Sequence, residues 1–140
     1  YREFIMGKEY YFNSKYPKHF VNKIVSANKK SGINVVKGRT FGANSFYVEQ
    51  HRIDGAITLC TEKQKMDWLK KLKKLGVKNI EMETPLMAAM LNHWGFTKFA
   101  AVCCIIVNRL KGDQVSCTKK QMEKYCINAE QVLWNYLQRC

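Results

Sequence analysis

The chain has 140 residues, of which 46% are hydrophobic, and 24 Lys and Arg against 11 Asp and Glu give a formal net charge of +13. This length suits one hydrophobic core and is short for two domains. No apolar run approaches the ~20 residues of a membrane span, and the first residues lack the layout of a signal peptide, so the sequence predicts a cytoplasmic protein without a membrane anchor.

The first third of the chain predicts short elements separated by glycine. Residues 3–8 have the pattern of a strand and a turn, and residues 16–30 place apolar side chains at helical spacing after a proline. Gly32 ends that helix. Residues 33–36 and residues 40–47 then predict two strands joined by a turn.

A second helix is bounded by clear signals at both ends. Thr61 and Gln64 have the spacing of a capping box, and Gly76 supplies the stop. A short strand is expected at residues 77–82. The predicted apolar stripe of this helix consists of Met66, Leu69, Leu72 and Leu75.

The next predicted elements are a helix and a buried strand. Thr84 is the expected N-cap and Pro85 the first-turn proline of a helix that continues to Gly95. Its predicted apolar stripe is Leu86, Met87, Met90, Leu91 and Trp94. Residues 99–107 form a continuous apolar run, which predicts a strand covered on both faces.

After a loop at residues 108–116, Thr118 and Gln121 form another predicted capping box and begin the closing helix. Strands therefore alternate with helices along the chain. This order predicts the α/β class with a mixed or largely parallel sheet.

The positive charge suggests a nucleic-acid partner, but its distribution argues against one. Most of the lysines between residues 63 and 74 fall on the expected polar side of one amphipathic helix. These are Lys63, Lys65, Lys70, Lys71, Lys73 and Lys74. Basic and aromatic residues do not alternate in a recognisable RNA-binding motif, so no nucleic-acid partner is expected.

The six cysteines form no Cys-x-x-Cys pair and have no nearby histidine at zinc spacing. We expect reduced thiols packed as small apolar residues, with Cys103 and Cys104 in the core. No metal site is predicted.

Polar side chains gather in three segments near the ends of predicted strands: residues 46–52 (Phe-Tyr-Val-Glu-Gln-His-Arg), 80–83 (Ile-Glu-Met-Glu) and 107–109 (Val-Asn-Arg). Ligands of α/β proteins bind at such places. None of the segments matches a Walker loop, a dinucleotide fingerprint, a zinc site or a nucleophile elbow.

In order and spacing these segments resemble the uridine phosphorylases of the nucleoside phosphorylase family, the animal enzymes more than the bacterial ones. The matching blocks are Phe-Tyr-x-x-Gln-x-Arg-x-Asp-Gly-Ala at residues 46–56, Thr-Glu-Lys at 61–63, Gly-Val-x-Asn-Ile-Glu-Met-Glu at 76–83 and Asn-Arg-Leu-x-Gly-Asp-Gln at 108–114. The resemblance implies phosphate-dependent cleavage of uridine to uracil and ribose 1-phosphate. It also implies a three-layer α/β/α fold with a central mixed sheet.

The resemblance implies that Gln50 and Arg52 read the uracil. A primary amide offers both a donor and an acceptor, which suits uracil N3 and O2. Arg52, two residues later on the same side of an extended segment, is expected to donate to O4. Because bond cleavage leaves negative charge on uracil, both residues are predicted to be catalytic as well as substrate-binding.

The remaining site residues are also assigned by the resemblance. Phe46 is expected to form a flat wall for the base, Met82 to pack on the sugar, and Glu83 to accept hydrogen bonds from the ribose 2′ and 3′ hydroxyls. Glu81 belongs to the same motif without a defined role.

Arg109 occupies a place where purine-cleaving relatives carry an aspartate, so an arginine there favours uracil O4, directly or through water. Ile106 and Val107 are expected to line the pocket. His51 and Ser45 depart from the family pattern, at positions often occupied by glycine or an acidic residue and by aspartate.

Family subunits are roughly twice as long, and their phosphate-binding loop lies in the N-terminal half, so residues 1–140 are expected to be the C-terminal portion of a single, incomplete phosphorylase domain. The expected ligands are uridine, uracil, ribose 1-phosphate and inorganic phosphate as co-substrate, with no organic cofactor, in a homo-oligomer that is a dimer or larger. The alternative is a catalytically inactive uridine or uracil binder, or a scaffold subunit.

Overall fold

The computed structural model describes residues 1–139. Within them the chain forms four strands and four helices, which confirms the α/β class. In chain order these are β1 (Arg2–Ile5), β2 (Lys8–Tyr11), α1 (Lys18–Ala27), β3 (Arg39–Gly42), α2 (Glu62–Lys74), β4 (Val77–Glu81), α3 (Thr84–His93) and α4 (Lys119–Leu137).

Strands β1 and β2 form an antiparallel hairpin. The first strand and the turn agree with the pattern of residues 3–8, whereas β2 was not predicted. The turn residues Met6 and Gly7 both have positive φ, at 50° and 78°. A two-residue turn of this kind matches the twist of the strands that flank it.

Strands β3 and β4 pair in parallel, from Arg39 opposite Val77 to Gly42 opposite Glu81, and α2 lies in the connection between them. Helix α2 contacts β4, and α3 contacts β3. A Cβ atom on Gly42 would lie 2.1 Å from Cγ of Pro85. Glycine at this position therefore permits the close approach of α3 to β3.

The predicted helix starts are confirmed where a capping box exists. Thr61 and Thr118 are the N-caps of α2 and α4, and each box is closed in both directions. The start of α3 differs, because Glu83 occupies the N-cap position and Thr84 is the first helical residue. The prediction of Thr84 as N-cap was wrong by one residue.

Two predicted strands are absent from the described residues. Residues 33–36 are irregular, and residues 99–107 join no sheet. The second segment borders an open cleft opposite β4 instead of pairing with it. An apolar run becomes a strand only when a neighbouring strand supplies hydrogen-bond partners, and no strand within residues 1–139 pairs with this run.

The core is assembled from small groups of side chains. Leu69 and Leu72 of α2 are buried, as are Ile24 of α1 and Val132 of α4. Between α1 and α4, the buried Asn28 amide donates to the Ile24 and Val132 carbonyls, each at 2.9 Å.

The predicted apolar stripe of α3 is largely exposed, whereas the small residues Ala88 and Ala89 are buried. That helix was expected to bury its large side chains, and the prediction was wrong because the small residues make the close contact. No helix within residues 1–139 is both long and apolar enough to cross a membrane.

Candidate active site

An open cleft of about 1090 Å³ lies between α2, β4 and the loops around residues 46–52 and 103–117. All nine predicted site residues line it, although they come from three separate segments of the chain. They are Phe46, Gln50, Arg52, Glu81, Met82, Glu83, Ile106, Val107 and Arg109.

The first of these segments has a different backbone from the predicted one. Strand β3 ends at Gly42, and residues 46–51 form consecutive turns. His51 has a φ of 51° and stacks on Trp68 with ring centroids 4.3 Å apart. The extended segment expected for Gln50 and Arg52 was therefore wrong, and the turn is what brings both residues to the cleft. A positive φ at residue 51 also fits a position where glycine is favourable.

Arg52 is held on three sides. Its Nε and Nη2 donate to the two carboxylate oxygens of Asp54, at 2.9 and 2.6 Å, and Nη2 also donates to the Asp113 carbonyl at 3.1 Å. Asp54 accepts a further bond from Gln114 at 2.7 Å. The arginine hydrogen bonds hold the pKa of the Asp54 carboxyl below its usual value. The guanidinium of Arg52 is thus fixed before any ligand binds.

Phe46 lies beside this arginine. The Arg52 guanidinium carbon is 4.5 Å from the Phe46 ring centroid, which is a cation–π distance. Tyr47 meets the same ring edge-on at 5.1 Å. Phe46 remains 48% exposed, so part of its ring is open to the cleft.

Gln50 is 6% exposed although it is polar. Its main-chain carbonyl accepts from Arg109 Nη2 at 2.9 Å. No side-chain hydrogen bond of Gln50 occurs within residues 1–139. The residue lines the cleft, and an amide that borders a cleft without a protein partner is available to a ligand.

Two of the three guanidinium nitrogens of Arg109 donate hydrogen bonds within the protein. Nε donates to Oδ1 of Asp113 at 2.5 Å, and Nη2 donates to the Gln50 carbonyl. Nη1 is buried and has no hydrogen-bond partner within the described part of the chain. This arrangement leaves one charged donor unused on a residue that lines the cleft.

Asp113 and Lys65 form a buried ion pair that the sequence did not predict. They are 8% and 4% exposed, and Lys65 Nζ lies 3.0 Å from Oδ2 of Asp113. Burial opposes ionisation of Asp113, but hydrogen bonds from Lys65 and Arg109 prevail and hold its pKa below the usual range. Burial likewise opposes the charge on Lys65, and its bonds to Asp113 and Glu62 overcome that effect and raise its pKa.

The expectation that Lys65 lies on the solvated face of α2 was wrong. A signal for its burial exists in the sequence, since residues 65, 69 and 72 recur at helical spacing on one face. Asp113 lies in a loop and has no such periodic signal, and its role depends on contacts with α2 that the sequence does not indicate.

The end of β4 supplies a second group of polar side chains. Oε2 of Glu81 accepts from the main-chain N–H groups of Glu83 and Thr84, at 2.8 and 2.7 Å, and so caps α3. Its Oε1 is buried without a hydrogen-bond partner among residues 1–139. The Glu83 carboxylate is exposed and accepts from the Met82 N–H at 3.2 Å.

Residues 103–107 of the apolar run line the cleft on the side opposite β4. Ile106 is 39% exposed, and Val107 is partly buried. Cys103 and Cys104 also line the cleft instead of lying in the core as expected, because the run has no sheet above it. Burial raises the pKa of the Cys103 thiol, and the nearby Glu81 charge adds to the effect.

The described cysteines are free thiols, as expected: Cys60, Cys103, Cys104, Cys117 and Cys126. The sixth, Cys140, lies outside the described residues.

Sequence comparison matches residues 7–138 to the Phosphorylase superfamily. Among individual proteins, the chain is 39% identical over 102 residues to the uridine and thymidine phosphorylase of Caenorhabditis elegans, covering 73% of this chain and 34% of that protein. It is 30% identical to uridine phosphorylase 1 of Mus musculus, over 99% of this chain and 45% of that protein. It is also 32% identical to the inactive uridine phosphorylase B of Schistosoma mansoni, covering 96% and 46%.

Solved structures of uridine phosphorylases also resemble the chain. The chain superimposes on the uridine phosphorylase of Schistosoma mansoni in complex with thymine with a TM-score of 0.88 and 29% identity, covering 99% of this chain and 49% of that one. The same enzyme in complex with uracil gives a TM-score of 0.86, also at 29% identity, covering 99% and 48%. The chain spans less than half the length of each of these relatives, and the phosphorylase-like fold is confirmed for the part that it covers.

Proposed function

Because the chain belongs to the Phosphorylase superfamily, we propose that it forms the uracil- and ribose-binding part of a uridine phosphorylase, which cleaves uridine with phosphate to uracil and ribose 1-phosphate. The observation that supports this most strongly is the set of unused groups at one cleft. Gln50 offers an amide and Arg109 a buried Nη1, both without a hydrogen-bond partner within residues 1–139.

These groups match one edge of uracil. The Gln50 amide accepts from N3–H and donates to O2, while Arg109 Nη1 and Arg52 donate to O4. Purine rings do not present the same order of donor and acceptor atoms in the same space. Arg52 and Arg109 also bring positive charge toward a base that becomes negative when the glycosidic bond breaks.

The fixed position of Arg52 matters for catalysis. Donors that are held before the reaction lose little energy to reorganisation when charge develops, and a site screened from water strengthens their effect. Arg52 donates two hydrogen bonds to Asp54 and one to the Asp113 carbonyl, and these hold its guanidinium in place. The Arg52 side chain is 11% exposed. We therefore assign Arg52 and Gln50 the catalytic role of stabilising the departing uracil.

The end of β4 is assigned to the ribose. The exposed carboxylate of Glu83 accepts from the 2′ and 3′ hydroxyls, and Met82 packs against the sugar, with Phe46 against the base. Glu81 has a supporting role because one of its oxygens caps α3, and its second oxygen remains available to the site. Ile106 and Val107 complete the apolar wall.

The whole protein is proposed to use inorganic phosphate as co-substrate, to need no metal or organic cofactor, and to act as a homo-oligomer in cytoplasmic pyrimidine salvage. The chain covers under half of the length of its relatives. By the family resemblance, we assign the phosphate-binding residues to the N-terminal half of the whole enzyme. Binding of phosphate beside the nucleoside is what makes attack on the sugar efficient.

The test is phosphate-dependent release of uracil from uridine by the whole protein. Arg52→Ala is expected to lower kcat/KM by roughly 10²-fold to 10³-fold, as for the loss of one preorganised donor. Arg39→Ala, at an exposed strand arginine, is the matched control and should retain activity. Equal activity of the native protein and Arg52→Ala would refute the assigned role.

A second candidate function is supported by the match to the inactive uridine phosphorylase B. In that case the protein binds uridine or uracil through the same cleft, or acts as a scaffold subunit, without turnover. Calorimetry that detects uridine binding in a protein that releases no uracil would favour this candidate over the enzyme.

A further inference from the structure

We propose that Asp113 is a positioning residue for uracil recognition, which orients Arg109 and Arg52 toward O4 of the base, with Lys65 as its counter-charge. This proposal rests on the proposed function and extends it. It concerns residues that do not themselves touch the base.

Asp113 accepts a hydrogen bond from each of the two arginines. Its Oδ1 accepts from Arg109 Nε at 2.5 Å, and its main-chain carbonyl accepts from Arg52 Nη2 at 3.1 Å. Its neighbour Gln114 holds Asp54, the other partner of Arg52. A two-residue stretch of one loop therefore fixes both guanidinium groups.

Lys65 makes this arrangement possible. A carboxylate that is 8% exposed needs compensation for its lost hydration, and Lys65 supplies it at 3.0 Å from Oδ2, opposite the arginine-bound oxygen. Lys65 belongs to α2, whose buried Leu69 and Leu72 fix the helix in the core. The orientation of the arginines is thus anchored to a packed helix instead of to a mobile loop.

The contacts of Arg109 determine which of its atoms can donate to uracil. With Nε bound to Asp113 and Nη2 bound to the Gln50 carbonyl, Arg109 has only Nη1 left, and that atom is buried. Without the Asp113 carboxylate the guanidinium can rotate, and the donor to O4 loses its fixed direction. The contacts of Gln50 with N3 and O2 do not involve Asp113.

Asp113→Asn tests this with two ligands that differ only at position 4. Uracil carries oxygen there, whereas 4-thiouracil carries sulfur, which is a weak hydrogen-bond acceptor. Asp113→Asn should lower affinity for uracil roughly tenfold, about the loss of one hydrogen bond. Affinity for 4-thiouracil should fall less than about twofold. Calorimetry of the whole protein measures both.

Two further variants separate positioning from general damage. Asp67→Asn is the matched control, because it removes the exposed partner of Lys63 on the same helix, and it should alter neither affinity. In an Arg109→Met background, Asp113→Asn should change the uracil to 4-thiouracil affinity ratio by less than about twofold. The arginine that the Asp113 carboxylate holds is then gone, and the main-chain carbonyl that accepts from Arg52 is unchanged.

Circular dichroism first establishes that Asp113→Asn is folded. If it is not, Lys65→Met carries the test, and it should change the same ratio by about threefold in the same direction. Equal losses for both ligands in a protein whose native form binds uracil would overturn the positioning role alone. A native protein that binds neither ligand would overturn the proposed function together with it.

Discussion

Glu83 differs from the other polar residues of the cleft because its carboxylate is exposed and engages only a neighbouring main-chain group. The Met82 N–H is its hydrogen-bond donor within residues 1–139. Such a carboxylate has unused acceptor capacity for a diol. This is the physical basis for assigning it to the ribose hydroxyls.

Glu83→Ala is therefore expected to lower affinity for uridine by roughly tenfold or more, because hydrogen bonds to a charged acceptor are among the stronger ones. Affinity for 2′,3′-dideoxyuridine should change little, since that nucleoside lacks the donors. Calorimetric titration of both nucleosides makes the comparison. Glu130→Ala, at an exposed position of α4, serves as control, and an equal loss for both nucleosides in Glu83→Ala would contradict the assignment.

Residue types at the cleft were predictable, but the contacts that orient them were not. Arg52 and Arg109 stand out through the motif blocks they occupy. The Asp113 and Lys65 pair joins positions 48 residues apart in the chain, and nothing local in either stretch indicates the other. Interactions of this kind require the fold.

The ends of helix α2 were predictable from local sequence signals, whereas elements that depend on long-range contacts were not. Its start at Thr61 and its stop at Gly76 are set by neighbouring residues, and both are confirmed. The apolar run at residues 99–107 has the composition of a strand, yet its structure depends on a partner strand, and it forms none here. Helix capping can be predicted from a sequence because the two partners are three residues apart. Sheet pairing cannot, because its partners are distant in the chain.

The contact between Lys65 of α2 and Asp113 makes the stability of the fold depend on pH. The native state lowers the pKa of Asp113, so the unfolded chain binds protons more readily. Its contribution to stability is fully present above the unfolded pKa, near 3.9, and is lost as pH falls through the lower folded value. Lys65 has a raised pKa, so its contribution persists through neutral pH and is lost only in the strongly alkaline range.

Urea unfolding of native protein and Asp113→Asn should therefore differ by about 3 kcal/mol at pH 7, as expected for breaking a buried ion pair. The difference should shrink as pH falls below about 4. Asp67→Asn should stay within about 0.5 kcal/mol of native at each pH, because its ion pair is exposed. A difference between native and Asp113→Asn that is constant from pH 7 to pH 3 would refute the linkage.

The molecule as a whole exposes more surface than its mass requires. The chain has 10506 Å² of accessible surface, whereas a compact monomer of 16.4 kDa exposes about 7,500 Å². Large apolar side chains are exposed on α3, on α4 and at residues 105–106. Exposed apolar side chains that cluster in this way are typical of interaction surfaces.

This surface also explains which part of the fold the sequence predicted poorly. The α3 stripe and the apolar run have the composition of buried elements, and the prediction assigned them a core. Within residues 1–139, however, Trp94 and Ile105 are exposed at 61% and 56%. Hydrophobicity indicates that a face is to be covered, but not which segment covers it.

The central proposal for this molecule is that its cleft recognises uracil. Calorimetric titration of the whole protein with uracil and with hypoxanthine tests this, because Arg109 and Gln50 offer donors and an acceptor that fit a pyrimidine edge. We predict uracil binding at least about tenfold tighter than hypoxanthine binding, since a site built around hydrogen bonds rejects a base that leaves them unpaired. Equal or tighter binding of hypoxanthine, or no binding of uracil, would contradict the account.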